Sequence, residues 1–305
     1  MSLAVIFPGL IPTSYAAVSH YVESDAYFRR RLEQADEVLK LSLMERYRDS
    51  SAPQTDIERC VFLVITLALA DWADDHLRMQ PAFCVAESFG GLASAAYAES
   101  LTFEGALELT YRGAHEEMRY LDELDGSYRT VFFYRLPLPR VERLVEEERA
   151  RSGWIELAVY LSENIYAVCT PEGAVDRFKK AVRREGGVAM HTMDRPVHSS
   201  VLRRLREDTE RKIYDRIPFR RAKMPLISDV DGSLAQEGPE VKKMLLDGID
   251  RPVSWLTAVT TMQREGVKEV FIVGPRNIFG RMARKHLRVT EISPETVVTG
   301  NPKDR

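Results

Sequence analysis

The first basic residue of this 305-residue chain is Arg29, so its apolar N-terminus lacks the charged start of a secretory signal. Cysteine is scarce as well. Cys60, Cys84 and Cys169 form no C-x-x-C pair, which excludes a disulfide scaffold. Long hydrophobic runs are missing: the longest, Cys60–Ala70, is bounded by Arg59 and Asp71 and is far too short to span a bilayer. No charge of one sign dominates. With 43 basic and 46 acidic residues the net charge is −3, which argues against a general nucleic-acid binder. Histidines and cysteines do not recur at ligand spacing, so no metal is expected. Together these absences predict a cytoplasmic protein with no membrane and no nucleic-acid partner. What is there is ordinary: 45% hydrophobic and 29% charged residues exclude disorder and suffice for a core. The length suits one large domain, or a large domain carrying a small inserted one.

Strand and helix patterns alternate along the chain. Leu3–Phe7 is a continuous apolar run ended by Pro8-Gly9, the pattern of a strand buried on both faces. Helices are expected over Ser24–Leu43, with Ser24 as N-cap, and over Asp56–Arg78 and Phe103–Tyr120. A short strand, Ala82–Ala86, runs into Glu87-Ser88-Phe89-Gly90-Gly91 and then a helix of small residues, Leu92–Glu99. Next come a strand at Arg129–Leu136, a helix at Pro139–Arg151, strands at Ile155–Leu161 and Ile165–Thr170, a helix at Pro171–Glu185 and a strand at Val188–Thr192. This β-α-β-β-α-β order is the ferredoxin-like unit. A basic helix (Ser199–Arg216), a strand (Met224–Val230), helices (Glu240–Leu246, Ser254–Glu265), a strand (Val267–Val273) and a helix from Asn277 to His286 complete the pattern. The expected fold is an α/β-hydrolase-like large domain with a mainly parallel sheet, residues 1–127 and 194–305, interrupted by a ferredoxin-like small domain, 128–193.

Ser88 is the sharpest local feature. It lies between an apolar strand and a small-residue helix, the setting of a nucleophile elbow, although Ala86 stands where the G-x-S-x-G pattern has glycine. Such a turn exposes the hydroxyl above the sheet, and the next amide, that of Phe89, faces a developing oxyanion at the helix N-terminus. A serine capping an ordinary βα turn has the same local pattern. A neutral serine needs a base. Of six histidines, His198 sits in Pro196-Val197-His198-Ser199, where the chain leaves the insert. His191 lies in a strand, His115 lies among Glu116 and Glu117, and His20, His76 and His286 have no distinctive surroundings.

Seven fragments, in order, resemble the malonyl-CoA:acyl-carrier-protein transacylases and the acyltransferase domains of polyketide synthases. Ile6-Phe7-Pro8-Gly9 is similar to the family's F-P-G-Q-G and Ala86–Gly90 to its G-H-S-x-G. Phe103–Leu107 with Arg112-Gly113 resembles the helix carrying an R-G pair. Pro196–Ser199 resembles P-F-H-S, Ser228–Gly232 S-N-V-D-G, Pro252–Trp255 P-V-x-W, and Val273–Pro275 V-G-P. The resemblance implies a ping-pong acyl transfer. Ser88 would take an acyl group from acyl-CoA, with His198 as base and later acid, and pass it to the phosphopantetheine thiol of an acyl carrier protein. No bound cofactor is implied, and a monomer is expected. The amides of Leu10 and Phe89 would form the oxyanion hole, and the main-chain carbonyl of Gly248, placed by spacing from Pro252, would orient the histidine.

Side-chain roles depart from the family. Leu161 stands where an asparagine is usual, and Glu87 replaces the histidine before the nucleophile, where an anion would repel a malonyl carboxylate unless turned away or paired. The arginine expected to hold that carboxylate is Arg112, one residue early, which is about 100° of helical rotation. Gly113 would then face the pocket. Arg195, three residues before His198, is a second acyl-binding candidate. Arg203–Lys223 holds nine basic and four acidic residues, so Arg203, Arg204 and Arg206 are candidates for docking an acidic carrier protein, while paired charges on a solvated helix face would look the same. The sequence reading is an acyltransferase of polyketide or other secondary metabolism, moving a malonyl-type or unusual acyl group. An acyl-thioester hydrolase with an editing role is the alternative.

Overall fold

The computed structural model describes residues 2–49, 56–277, 280–300 and 303–304. Twelve strands form two sheets among these residues. The strands are β1 (Ser2–Phe7), β2 (Phe83–Ala86), β3 (Tyr128–Tyr134), β4 (Glu156–Ser162), β5 (Ile165–Pro171), β6 (Val188–Met193), β7 (Leu226–Ile227), β8 (Leu234–Ala235), β9 (Val253–Ser254), β10 (Val267–Val273), β11 (Arg288–Ile292) and β12 (Lys303–Asp304). The larger sheet has the order β12-β11-β10-β1-β2-β7-β8, parallel from β11 to β7 and antiparallel at both edges. The smaller has the order β6-β3-β5-β4-β9.

Strand β1 shows why the opening run is apolar on both faces. Val5 and Phe7 point into a core shared with the helices Ala26–Leu39, Asp56–Leu77 and Gly90–Tyr97. Ala4 and Ile6 point the opposite way, into a second core holding Ala158, Val159, Leu161 and Ala167 of the smaller sheet and Trp255, Ala258 and Met262 of the helix Trp255–Arg264. All four β1 residues have no exposed surface. The period-2 alternation of strand side chains thus divides one strand between two cores. The second core joins the sheets, helped by the parallel β4–β9 ladder. The other face of the smaller sheet is covered by the helices Leu138–Ser152 and Val175–Arg184, with Phe133, Val141, Leu144, Phe178 and Val182 between them.

Several expected elements are displaced. Ser24 ends a helix, Tyr15–Ser24, that the sequence reading missed; the N-cap of Ala26–Leu39 is Asp25, whose carboxylate accepts from the Phe28 amide. The strand expected over Met224–Val230 pairs only at Leu226–Ile227. Beyond it Ser228 accepts from the Val230 amide and Gly232, at φ +71°, turns the chain back. The basic helix expected over Ser199–Arg216 is α-helical only at Arg203–Lys212, because Glu156 of β4 takes the amide and hydroxyl of Ser200 and holds that segment in a tighter turn. Of the helix expected over Asn277–His286, Gly280–Ala283 is helical, and residues 278 and 279 lie outside the described residues. The three cysteines are buried and free. No helix among the described residues is long and apolar enough to cross a membrane.

Candidate active site

The central strands of the larger sheet deliver the site at their carboxyl ends. β1 leads into Pro8-Gly9-Leu10, and β2 leads into Glu87-Ser88-Phe89 ahead of the helix Gly90–Tyr97. Ser88 has φ +47°, a left-handed conformation that costs a non-glycine residue about 1 kcal/mol or more and points its side chain away from the strand. Two contacts hold it there. The Ser88 amide donates to Asp229 Oδ2 at 2.6 Å. Gly90 packs directly on the Phe7 carbonyl, where any Cβ would collide with backbone.

His198 also has φ +47°, on the loop between β6 and the turn at Ser200. Its Nε2 lies 2.9 Å from Ser88 Oγ, and its Nδ1 donates to the Gly248 carbonyl at 2.6 Å. The second bond fixes the tautomer: with the proton on Nδ1, Nε2 is free to accept from the serine hydroxyl. Burial pulls the His198 pKa below the ordinary imidazole value, and Arg195 adds to that, against the Gly248 bond and Glu117, which raise it. The lowering favours the neutral ring, the form a base requires.

Ser88 and His198 line a cavity of about 310 Å³ together with Leu10, Phe89, Glu87, Leu161, Arg195 and Gly248. Eight sequence-derived site residues thus converge from both sheets. Leu161 is buried on β4. Glu87 does not stand as an anion beside the serine. Its carboxyl turns toward the Gly9 amide, and burial, with neighbouring Asp229 adding to it, pushes its pKa up to about 8. Burial likewise raises Asp229, to about 6.

Arg112 is corrected by its position. It does not line the cavity; its guanidinium donates to Glu108 at 2.5 Å and to the Lys212 carbonyl at 2.9 Å. The helix Phe103–Glu123 runs without interruption, so the one-residue offset becomes a rotation away from the cavity. Gly113 does not line it either. One turn later Glu117 does, and there the reading from sequence missed a cluster. Glu117 Oε2 accepts from Arg59 at 2.7 Å and Oε1 from Arg195 at 2.8 Å. Burial alone would raise this carboxyl, but Arg59 and Arg195 outweigh it and hold the pKa down to about 2. Helical spacing from Gly113 pointed to Glu117; nothing in the sequence pointed to Arg59, which comes from a different helix.

The docking candidates differ among themselves. Arg203 and Arg204 are exposed, Arg203 with Asp250 3.9 Å away, whereas Arg206 is half-buried and turned toward Asp247, Asp250 and Glu210. Paired charge therefore accounts for Arg206.

A malonyl-CoA-acyl carrier protein transacylase of Bacillus subtilis is 23% identical over 294 residues, 93% of this chain and 71% of that protein. A second protein of that description, from strain 168, is 17% identical over 97% of this chain and 95% of its own length. Relatives and fold neighbours alike are malonyl-CoA:acyl-carrier-protein transacylases. The FabD protein of Acinetobacter baumannii superposes with a TM-score of 0.86 at 16% identity, each chain covered to 98%. A malonyl-transacylase solved in complex with its type II polyketide acyl carrier protein superposes at 0.87 with 15% identity, covering 99% of this chain and all of that one. No family model matches. The resemblance to the transacylases drawn from the seven fragments is supported, and the mixed α/β fold with two sheets is shared with them.

Proposed function

We propose that this protein is an acyltransferase that moves an acyl group from acyl-CoA through Ser88 to the phosphopantetheine thiol of an acyl carrier protein. The observation that carries this reading is the Ser88 Oγ–His198 Nε2–Gly248 chain of hydrogen bonds at 2.9 and 2.6 Å, set on a strained elbow. Ser88 Oγ attacks the thioester carbonyl as His198 Nε2 takes its proton. The negative charge on the former carbonyl oxygen is met by the amides of Leu10 and Phe89, each such donor contributing about 3 kcal/mol to the transition state. The C–S bond then breaks and His198 returns the proton to the CoA thiol. The carrier thiol repeats the sequence in reverse on the acyl-enzyme.

The β-α-β-β-α-β connectivity of β3 to β6, and their order β6-β3-β5-β4, support a ferredoxin-like small domain over 128–193, inserted in an α/β-hydrolase-like domain formed by 1–127 and 194–305. The altered pocket, with Leu161, Glu87 and a displaced Arg112, favours polyketide or related secondary metabolism over standard malonyl transfer. Likeness to a transacylase captured with a polyketide carrier protein agrees with that context.

Intact-protein mass spectrometry with a panel of acyl-CoAs tests the proposal. The expected result is an adduct that Ser88→Ala abolishes and that moves to an added carrier protein. Rapid loss of the adduct as free acid would replace transfer by hydrolysis, and no adduct with any donor would overturn the enzyme reading altogether.

A further inference from the structure

Two buried carboxyls stand at the carboxyl ends of three neighbouring strands, β1, β2 and β7. Glu87 follows β2 and Asp229 follows β7. Each reaches across to the loop of the next strand and takes a main-chain amide. Glu87 accepts from the Gly9 amide beyond β1. Asp229 Oδ2 accepts from the Ser88 amide beyond β2, at 2.6 Å. The charged groups acting on them are Asp229 on Glu87 and Asp231 on Asp229, and no cation pairs with either among the described residues. A carboxyl buried without a cation is costly, so the amides it engages carry the compensation.

The two engaged amides share a further property. Gly9 precedes Leu10 and Ser88 precedes Phe89, the residues whose amides face the reacting oxygen in the proposed reaction. Leu10 and Phe89 both line the cavity, and their amides donate to no partner among the described residues. The next two amides do not compete: those of Gly90 and Gly91 turn back to the Glu87 and Ser88 carbonyls at 2.8 and 3.0 Å. Only one φ and one ψ separate an engaged amide from the free one after it, so holding the first limits where the second points. The approach is built in at both places. The Glu87 carboxyl lies where a Cβ on Gly9 would project. Asp229 is fixed through its own carbonyl, which accepts from the Ser254 amide of β9 at 2.5 Å.

Resting on the acyl-transfer reading above, we propose that Glu87 and Asp229 are positioning residues for that reaction, and that by gripping the Gly9 and Ser88 amides they hold the Leu10 and Phe89 amides where the thioester oxygen becomes negative. Donors fixed before the reaction begins need no reorganisation as charge develops.

The test is single-turnover acylation by a panel of acyl-CoAs, read by intact mass on the full chain, with the fastest wild-type donor carried into the variants. Glu87→Leu and Asp229→Ala remove the acceptor, and each should lower the maximal rate by about a hundredfold. The acyl-CoA concentration at half-maximal rate should move by less than about threefold. The pH midpoint of acylation should stay at the wild-type value, because neither carboxyl is among the groups that shift His198. Burial, with Asp229 adding to it, raises Glu87 to about 8, which favours the protonated carboxyl at neutral pH. Glu87→Gln reproduces that form and should restore the rate to within about threefold of wild type. A purely structural role would lower stability in Glu87→Leu and leave the maximal rate of the folded fraction unchanged. Wild-type maximal rates in folded Glu87→Leu and Asp229→Ala, or a Glu87→Gln no faster than Glu87→Leu, overturn the proposal and leave acyl transfer standing. If neither deletion variant folds, Gly9→Ala, whose Cβ displaces the Glu87 carboxyl, decides by the same loss of maximal rate or its absence. A wild type labelled by no acyl-CoA would fail both this proposal and the reading on which it rests.

Discussion

Ser88 and His198 share a φ of +47°, and the strain is held by different means at each. At Ser88 the amide is pinned by Asp229; at His198 the ring is pinned by the Gly248 carbonyl and the chain beyond it by Glu156. Backbone strain at two residues whose side chains meet is the pattern expected where tertiary structure fixes a reactive pair. The electrostatics around the ring give a pH dependence. Burial and Arg195 lower the His198 pKa, so the base stays neutral to more acidic pH than an ordinary histidine. Acylation should rise with pH to a plateau whose midpoint lies below the ordinary imidazole value of about 6.5. Arg195→Gln removes a cation that disfavours the protonated ring, so its midpoint should move upward. A pH–rate profile of single-turnover acylation checks both, and a midpoint that falls in Arg195→Gln would contradict the assignment.

At the scale of elements, two glycines in neighbouring helices should behave oppositely. Gly90 opens the helix Gly90–Tyr97 against the Phe7 carbonyl of β1, and neither partner can retreat because both are backbone. Gly90→Ala should destabilise by about 3 kcal/mol or more, displacing the elbow with it. Gly113 lies mid-helix in Phe103–Glu123 with open space where a Cβ would project. Gly113→Ala should stabilise by about 1 kcal/mol through helix propensity. Urea denaturation of the two variants measures both; equal and small effects would mean that the elbow does not depend on close backbone packing.

Across the whole molecule, the cavity exists because two sheets share a core. Ala4, Ile6 and Val85 of the larger sheet pack against Ala158, Val159 and Leu161 of the smaller. The loop carrying His198 is tied to the smaller sheet through Glu156, and Ser88 belongs to the larger. The proposed docking of a carrier protein belongs to this scale. Arg203 and Arg204 are exposed on the helix Arg203–Lys212, which follows the His198 loop; Arg203 lies 3.9 Å from Asp250, and Arg206 is more buried among Asp247, Asp250 and Glu210. Arg203→Glu with Arg204→Glu should lower the rate of transfer to a carrier protein by about tenfold at low salt, and much less at high salt. Self-acylation by acyl-CoA serves as the control, and an equal loss there would point to a folding defect.

The sequence by itself determined the elements that local chemistry governs. The apolar run of β1, the long helix Asp56–Leu77, the small-residue helix after Ser88 and the β-α-β-β-α-β order were all legible, because periodicity and turn residues act over short spans. Motif order also marked Ser88, His198 and Gly248, whose distances now show them joined. Ser24 and the strand at Met224–Val230 were misread because a capping residue and a turn compete with propensity at the boundary itself. What only the tertiary structure decided was which charges face the cavity. Arg112 and Glu117 lie on the same helix, yet its rotation puts one outside and the other in the cavity, and the partners of Glu117 come from 58 and 78 residues away in sequence. Charge pairing across such separations depends on packing geometry, and no local pattern encodes it.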